Sequence, residues 1–158
     1  VSSAKNRFAL EPEHVEETTA YVYARMTDEA CLRELDRRKF PYERVEETKQ
    51  IDLPIRFTGP IRGVEYTLTY RERKDDKTSP AAIADCRLAL AIDDFSQVLA
   101  AHDVVEVQVD NSYRPKAHLP GKKGKQSQHA YGLALDVTRV RLKDGTSLEI
   151  ERDFRFYE

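Results

Sequence analysis

Hydrophobic positions recur at helical spacing in two stretches of the chain. Cys31, Leu32 and Leu35 line one face of a segment over Asp28–Lys39. Thr27 is placed to cap that helix, Asp28 and Glu29 suit the positive end of its dipole, and Pro41 stops it. A second helix is predicted from Ser79 and Pro80, as N-cap and first helical residue, through Ala101, with Leu88, Ile92, Phe95 and Leu99 as its apolar stripe. Period-two alternation predicts strands elsewhere. These are Pro54–Thr58 and Val64–Tyr70, around a turn at Gly59, Pro60 and Gly63, and a strand in which Val105, Val107 and Val109 alternate with Glu106, Gln108 and Asp110. Leu133, Leu135 and Val137 alternate again and predict a strand running to Leu142, which Asp144-Gly145 turns into Leu148–Ile150. Residues 1–26, polar and without a strong period over most of their length, are expected to form a loosely ordered arm, and Arg71–Ser79 reads as a solvated loop. Residues 27–158 then form a single domain of the α+β class, a small, mostly antiparallel sheet packed against helices.

Composition narrows the function classes. The chain has 158 residues, 40% hydrophobic and 34% charged, enough for one domain with a core. A net charge of -2, from 26 basic and 28 acidic residues, gives no global attraction to nucleic acid or to an anionic membrane. No apolar run approaches the ~18 residues of a membrane span. The chain begins at Val1 with no visible signal peptide, so its N-terminus is expected to have been processed or cut. The two cysteines, Cys31 and Cys86, are spaced neither as a zinc pair nor as a redox CxxC. They read either as two buried thiols or as one disulfide closing a loop of ~55 residues.

The segment with chemistry is Ser127-Gln128-His129-Ala130-Tyr131-Gly132-Leu133-Ala134-Leu135-Asp136-Val137. Alternation places Asp136 in an apolar strand, on the face of Ala134 and away from Leu133, Leu135 and Val137. A carboxylate on the inner side of a sheet is costly unless it is paired or bound to a metal. His129 enters just before the strand, and Gly132 and Ala134 leave room beside it. Two readings follow: His129 and Asp136 hydrogen-bond each other, or they converge on Zn²⁺. Arg114, Lys116, Lys122, Lys123 and Lys125 make a basic loop beside this segment, either simply solvated or placed to attract carboxylates. His14, His102 and His118 read as surface residues, and there is no nucleophile elbow or phosphate loop.

Ser-x-His-x-x-Gly-x-Ala-x-Asp, matched by Ser127, His129, Gly132, Ala134 and Asp136, resembles the first metal-binding motif of the zinc superfamily of lysostaphin-type peptidases, D-Ala-D-Ala peptidases and the hedgehog signalling domain. Further stretches are similar to one branch, the bacterial proteins with an extensin-like C-terminal domain. They are Cys31-Leu32 with Leu35 and Pro41-Tyr42, Pro54-Ile55-Arg56, Asp85 through Leu90, Ser112-Tyr113-Arg114, and Leu142 with Asp144-Gly145. The resemblance implies a D-Ala-D-Ala peptidase/hedgehog-like fold and a periplasmic or secreted, zinc-dependent hydrolase of peptidoglycan peptide stems, of the D,D-carboxypeptidase or endopeptidase type. His129 and Asp136 would be the first two zinc ligands, and Arg114 the catalytic basic residue near the site that holds a substrate carbonyl or the developing oxyanion. An exported protein would also pair Cys31 with Cys86.

One departure from the family matters. Its third ligand lies in a later His-x-His segment with the general base just before it, whereas the last histidine here is His129. The expectation is a domain lacking its C-terminal part, inactive alone. The alternative is a non-catalytic cell-wall-binding or structural module that retains the fold.

Overall fold

The computed structural model describes residues 12–46, 48–68, 82–122 and 124–153. After a 3-10 segment at Pro12–Glu17 come helices α1 (Thr19–Ala24) and α2 (Asp28–Arg37), then strands β1 (Tyr42–Arg44), β2 (Pro54–Phe57), β3 (Glu65–Leu68) and β4 (Ile83–Asp85). Helix α3 (Cys86–Ala101) leads into β5 (Val104–Val109), β6 (Val137–Leu142), β7 (Ser147–Glu149) and the short α4 (Ile150–Asp153). The fold is α+β, as the pattern predicts, but with two sheets rather than one. The first has the order β1-β2-β4 and is antiparallel throughout. The second, β3-β5-β6-β7, is antiparallel except that β3 runs parallel to β5, with Tyr66 opposite Val107.

Local chemistry accounts for the well-predicted elements. Thr27 caps α2 by accepting the Ala30 N–H at 3.2 Å, and Cys31 and Leu35 are fully buried on its inner face. The hairpin after β6 closes on Gly145, whose φ of 91° a side chain would resist, while the Asp144 carboxylate accepts the Thr146 N–H at 2.8 Å. Helix α3 departs from expectation at its start. It begins at Cys86 with Asp85 as its cap, not at Pro80, and Ser79 and Pro80 lie outside the described residues. Ile83 and Ala84 are strand because they pair with Arg56 and Ile55 of β2 and are buried there. The buried face of α3 carries Ala89, Leu90, Asp93 and Ser96, while Phe95, expected on the apolar stripe, is 41% exposed. Residues 71–79, expected as a solvated loop, lie outside the described residues, as do residues 1–11 of the expected arm. In the described part of that arm, residues 12–26, the structure places α1, whose Tyr23 is buried against the core.

The main core lies between α2, α3 and β2 and includes Leu35, Ile55 and Leu90. The Cys31–Cys86 disulfide crosses it, joining α2 to the first turn of α3 with Cα atoms 6.2 Å apart. A smaller cluster of Val64, Val104, Val107 and Val140 underlies the second sheet.

Asp93 is buried inside an ionic network. Arg62 grips it through two hydrogen bonds of 2.8 Å, and Arg38 reaches it at 3.1 Å. Arg38 also donates to Asp94, Glu34 and the Tyr23 hydroxyl, and that hydroxyl donates to Asp94. This explains why a carboxylate can sit on the inner face of α3 and why α1 is held down. Burial alone would raise the Asp93 pKa, but hydrogen bonds and charge from Arg62 and Arg38 outweigh it and hold the value below the ordinary 3.8.

Two outcomes follow. Cys31→Ser with Cys86→Ser removes a cross-link across 55 residues and is expected to lower unfolding free energy by about 4 kcal/mol in urea titrations. Asp93→Asn leaves two arginines without their buried partner and is expected to cost about 3 kcal/mol at neutral pH. Because the folded-state pKa is depressed, the Asp93 contribution is fully present above the unfolded value, ~3.9, and is lost as pH falls through the folded value. Denaturation below about pH 4 should therefore show a shallower loss of stability in Asp93→Asn than in the parent.

Candidate metal-binding site

The connection between β5 and β6, residues 110–136, carries every candidate residue. Its two ends stay paired beyond the strands: Asp110 N–H donates to Asp136 O at 2.9 Å, and Asp136 N–H donates to Asn111 O at 3.0 Å. Just inside, Gln108 faces Arg139 while Val109 faces Val137, so Thr138 is an extra residue in β6. Such a bulge re-aims the side chains before it.

His129 sits in a 3-10 turn, Gln128–Tyr131, capped by Ser127, whose hydroxyl accepts the His129 N–H at 3.4 Å. Gly132 ends the turn with φ 65°, and its carbonyl accepts the Asp85 N–H at 2.9 Å. A Cβ on Gly132 would lie 2.9 Å from Ile51 Cδ1 and 3.0 Å from the Asp85 nitrogen. Gly132 is therefore demanded twice, by its left-handed backbone and by the approach of its neighbours.

The His129 ring is buried, with Nδ1 2.7 Å from the Ser112 carbonyl. A carbonyl only accepts, so Nδ1 carries a proton, and Nε2 is the nitrogen left to face Asp136. That Nε2 lies 3.2 Å from Asp136 Oδ1, while Asn111 Nδ2 donates to Asp136 Oδ2 at 3.3 Å. Ser112 is in turn fixed, its hydroxyl donating to Ile83 O at 2.9 Å and the next residue, Tyr113, donating to Lys49 O at 2.8 Å. Across this 3.2 Å separation either Nε2 carries a second proton and donates to Asp136, or it presents a lone pair and the two acceptors need a cation between them.

The sequence expectation for Asp136 requires correction. The strand begins at Val137, the Asp136 side chain is 48% exposed, and Leu133 is exposed too. Asp136 is not a desolvated carboxylate on the inner face of a sheet, because residues 133–136 form an extended loop ahead of the bulge rather than ladder. Arg114 is brought close only through its backbone, whose N–H donates to His129 O at 2.9 Å; its side chain is exposed. His118 is exposed and its backbone bridges to Gln126, His14 pairs loosely with Glu17, and His102 ends α3. Among the described residues no group of three or more His, Cys, Asp or Glu side chains could hold a metal ion. Asn111 and Ser112, which orient the two candidate ligands, were not singled out for that role by sequence reasoning. Ser112 acts through a carbonyl that any residue has, and only the polar Asn111 at a strand end offered a signal.

A cavity of about 340 Å³ lies beside the same loop, with Tyr131 and Leu133 on its wall together with Tyr23, Leu88, Asp85 and Arg87; neither His129 nor Asp136 lines it. Burial alone would lower the Arg87 pKa, but Asp28 and Asp85 reverse this and raise it, so the wall carries a fixed cation.

The family described as extensin-like protein C-terminus matches residues 29–158. No curated protein and no solved structure matches the chain.

Gly132→Ala is expected to cost about 3 kcal/mol, from left-handed strain plus the clash with Ile51 and Asp85. Urea denaturation checks the stability, and loss of the 2.9 Å Asp85–Gly132 bond should appear as faster amide exchange at Asp85.

Proposed function

The chain belongs to the extensin-like protein C-terminus family, and on that premise we propose that it is a zinc-dependent hydrolase domain for peptidoglycan peptide stems, with His129 and Asp136 as two of the metal ligands. The observation that carries this reading is the pairing of His129 Nε2 with Asp136 Oδ1 at 3.2 Å while Nδ1 is committed to the Ser112 carbonyl. Bonds of ~2.0–2.1 Å from tetrahedral zinc to nitrogen and oxygen place those two atoms ~3.3 Å apart. A metal-binding histidine ordinarily gives its other ring N–H to a carbonyl or carboxylate, and Ser112 supplies that partner. His129 and Asp136 would hold the zinc, which when bound would supply Lewis-acid polarisation of an amide carbonyl and activation of water near neutral pH.

The chain's own groups do the rest. Ser112 keeps the His129 lone pair outward, Asn111 holds Asp136 by its second oxygen, and Gly132 lets the turn close against Asp85. Arg114, whose backbone N–H is tied to His129 O and whose side chain is exposed, would receive a substrate carbonyl in this reading. The disulfide agrees with a periplasmic or secreted location, and membership of the lysostaphin, D-Ala-D-Ala peptidase and hedgehog superfamily is part of the same proposal. A second reading, a non-catalytic wall-binding module, draws on the lack of a three-residue ligand group among the described residues. Two protein ligands are one fewer than catalytic zinc sites normally use.

Imidazole ¹⁵N NMR tests the metal site directly. We expect His129 to be protonated at Nδ1 only, zinc to bind weakly and shift Nε2, and His129→Ala to lose the effect. A doubly protonated ring that zinc leaves unchanged would sink the assignment. Digestion of muropeptides separates the two functional readings. With zinc saturating, His129-dependent cleavage supports the hydrolase, and wall-peptide binding without turnover supports the module. Cleavage is expected to be slow, since the described residues supply two ligands where catalytic zinc sites normally use three.

A further inference from the structure

The connection that holds the candidate site also builds a projecting hairpin with one sign of charge. Residues 114–126 contain Arg114, Lys116, Lys122, Lys123 and Lys125 and no aspartate or glutamate. Outside them the chain has 21 basic residues against 28 acidic ones, the remainder of 26 and 28. The hairpin is therefore a concentrated positive feature on an acidic protein. Its two arms are joined by Ser127 N–H to Ala117 O at 2.9 Å and Leu119 N–H to Lys125 O at 3.0 Å, with His118 opposite Gln126. Gly121 and Gly124, at φ 70° and 79°, turn its tip. At its base, Arg114 N–H bonds His129 O at 2.9 Å and the Tyr131 hydroxyl bonds Gln126 at 2.7 Å, so the arm springs from the residues that carry the site.

The side chains of Lys116, Lys122 and Lys125 are exposed, and none of them has a carboxylate partner among the described residues. The part-buried arginines, by contrast, are paired with carboxylates, as at Arg38 and Arg87. Lysines dominate the arm, and an ammonium on a flexible stem attracts anions over distance without the bidentate geometry of arginine. Two or more such charges within a Debye length of ~8 Å reinforce one another at physiological salt.

We propose that the hairpin formed by residues 114–122 and 124–126 is an electrostatic capture arm for a peptide bearing several carboxylates, which it delivers to the site at its base. The choice of a peptide over other polyanions rests on the hydrolase reading above; the capture itself does not. The arm raises local peptide concentration through its lysines, and the pairing at its root keeps the captured chain beside His129 and Asp136.

Fluorescence anisotropy with a labelled oligoglutamate peptide, its oligoglutamine counterpart and an oligothymidylate of equal charge tests this on the whole chain. The variant is Lys116→Gln, Lys122→Gln, Lys123→Gln and Lys125→Gln combined, which leaves His129, Asp136 and Arg114 in place. Oligoglutamate affinity should weaken about tenfold in this variant and, in the parent, should fall as salt rises from about 0.02 to 0.2 M. Oligoglutamine should bind both proteins equally poorly. An unchanged affinity in the variant, or equal binding of oligoglutamine by the parent, would overturn the capture arm. Tighter binding of oligothymidylate than of oligoglutamate would overturn the peptide assignment. Zinc uptake and oligoglutamate binding, measured separately on the parent protein, distinguish the two claims. Retained oligoglutamate binding without zinc uptake removes the metal site alone, and zinc uptake without oligoglutamate binding removes the arm alone.

Discussion

The structure turns on one buried carboxylate and the cysteine after it. Asp85 Oδ2 accepts the Leu53 N–H at 3.1 Å, Oδ1 accepts the Arg87 N–H at 2.9 Å, and the Asp85 N–H donates to Gly132 O at 2.9 Å. Cys86 donates its own N–H to Leu53 O at 3.0 Å and is bonded to Cys31. Two consecutive residues thus end β4, start α3, lock α2 and dock the turn that holds His129. A buried carboxylate is affordable here because each of its oxygens has a donor, and an apolar residue at the same position would leave two backbone N–H groups, those of Leu53 and Arg87, to find other partners. Arg87 extends the hub, reaching the Met26 carbonyl and Asp28 at the start of α2.

The elements readable from the sequence are those whose signal is local. Thr27 and the apolar face of α2, the valine alternation of β5, and Asp144-Gly145 each carry their own instruction within a few residues. Misread elements depend on partners distant in the chain. Ile83–Asp85 could join a helical pattern until β2 is there to pair with it. The inner face of α3 was obscured because Asp93 and Ser96 occupy it, made tolerable by Arg62 and Arg38 in one case and by Tyr66 in the other. Helix α1 was hidden for the same reason: its anchor is a tyrosine hydroxyl shared between Arg38 and Asp94, which no periodicity reports.

At the candidate site the residue types and their spacing brought His129 and Asp136 together, but the reason inferred for it did not hold. Desolvation of Asp136 is not the driving force, since that side chain is half exposed. The constraint acts on the imidazole instead, through a backbone carbonyl that fixes which nitrogen is free. Sequence tells which side chains meet better than it tells the tautomer, because the second depends on a main-chain atom 17 positions away.

The position of the disulfide along the chain has a bearing on the order of folding. Both cysteines, and every Asp85 contact except that to Gly132, belong to residues 28–87, and α3 is complete at Ala101. All of this precedes Asn111, the first of the residues that shape the site. During synthesis, which proceeds from the N-terminus, the two helices and the three-stranded sheet can be assembled and cross-linked while the segment carrying His129 has yet to appear. The late segment then needs only to settle onto a finished surface, so errors in the site region need not spread back into the core.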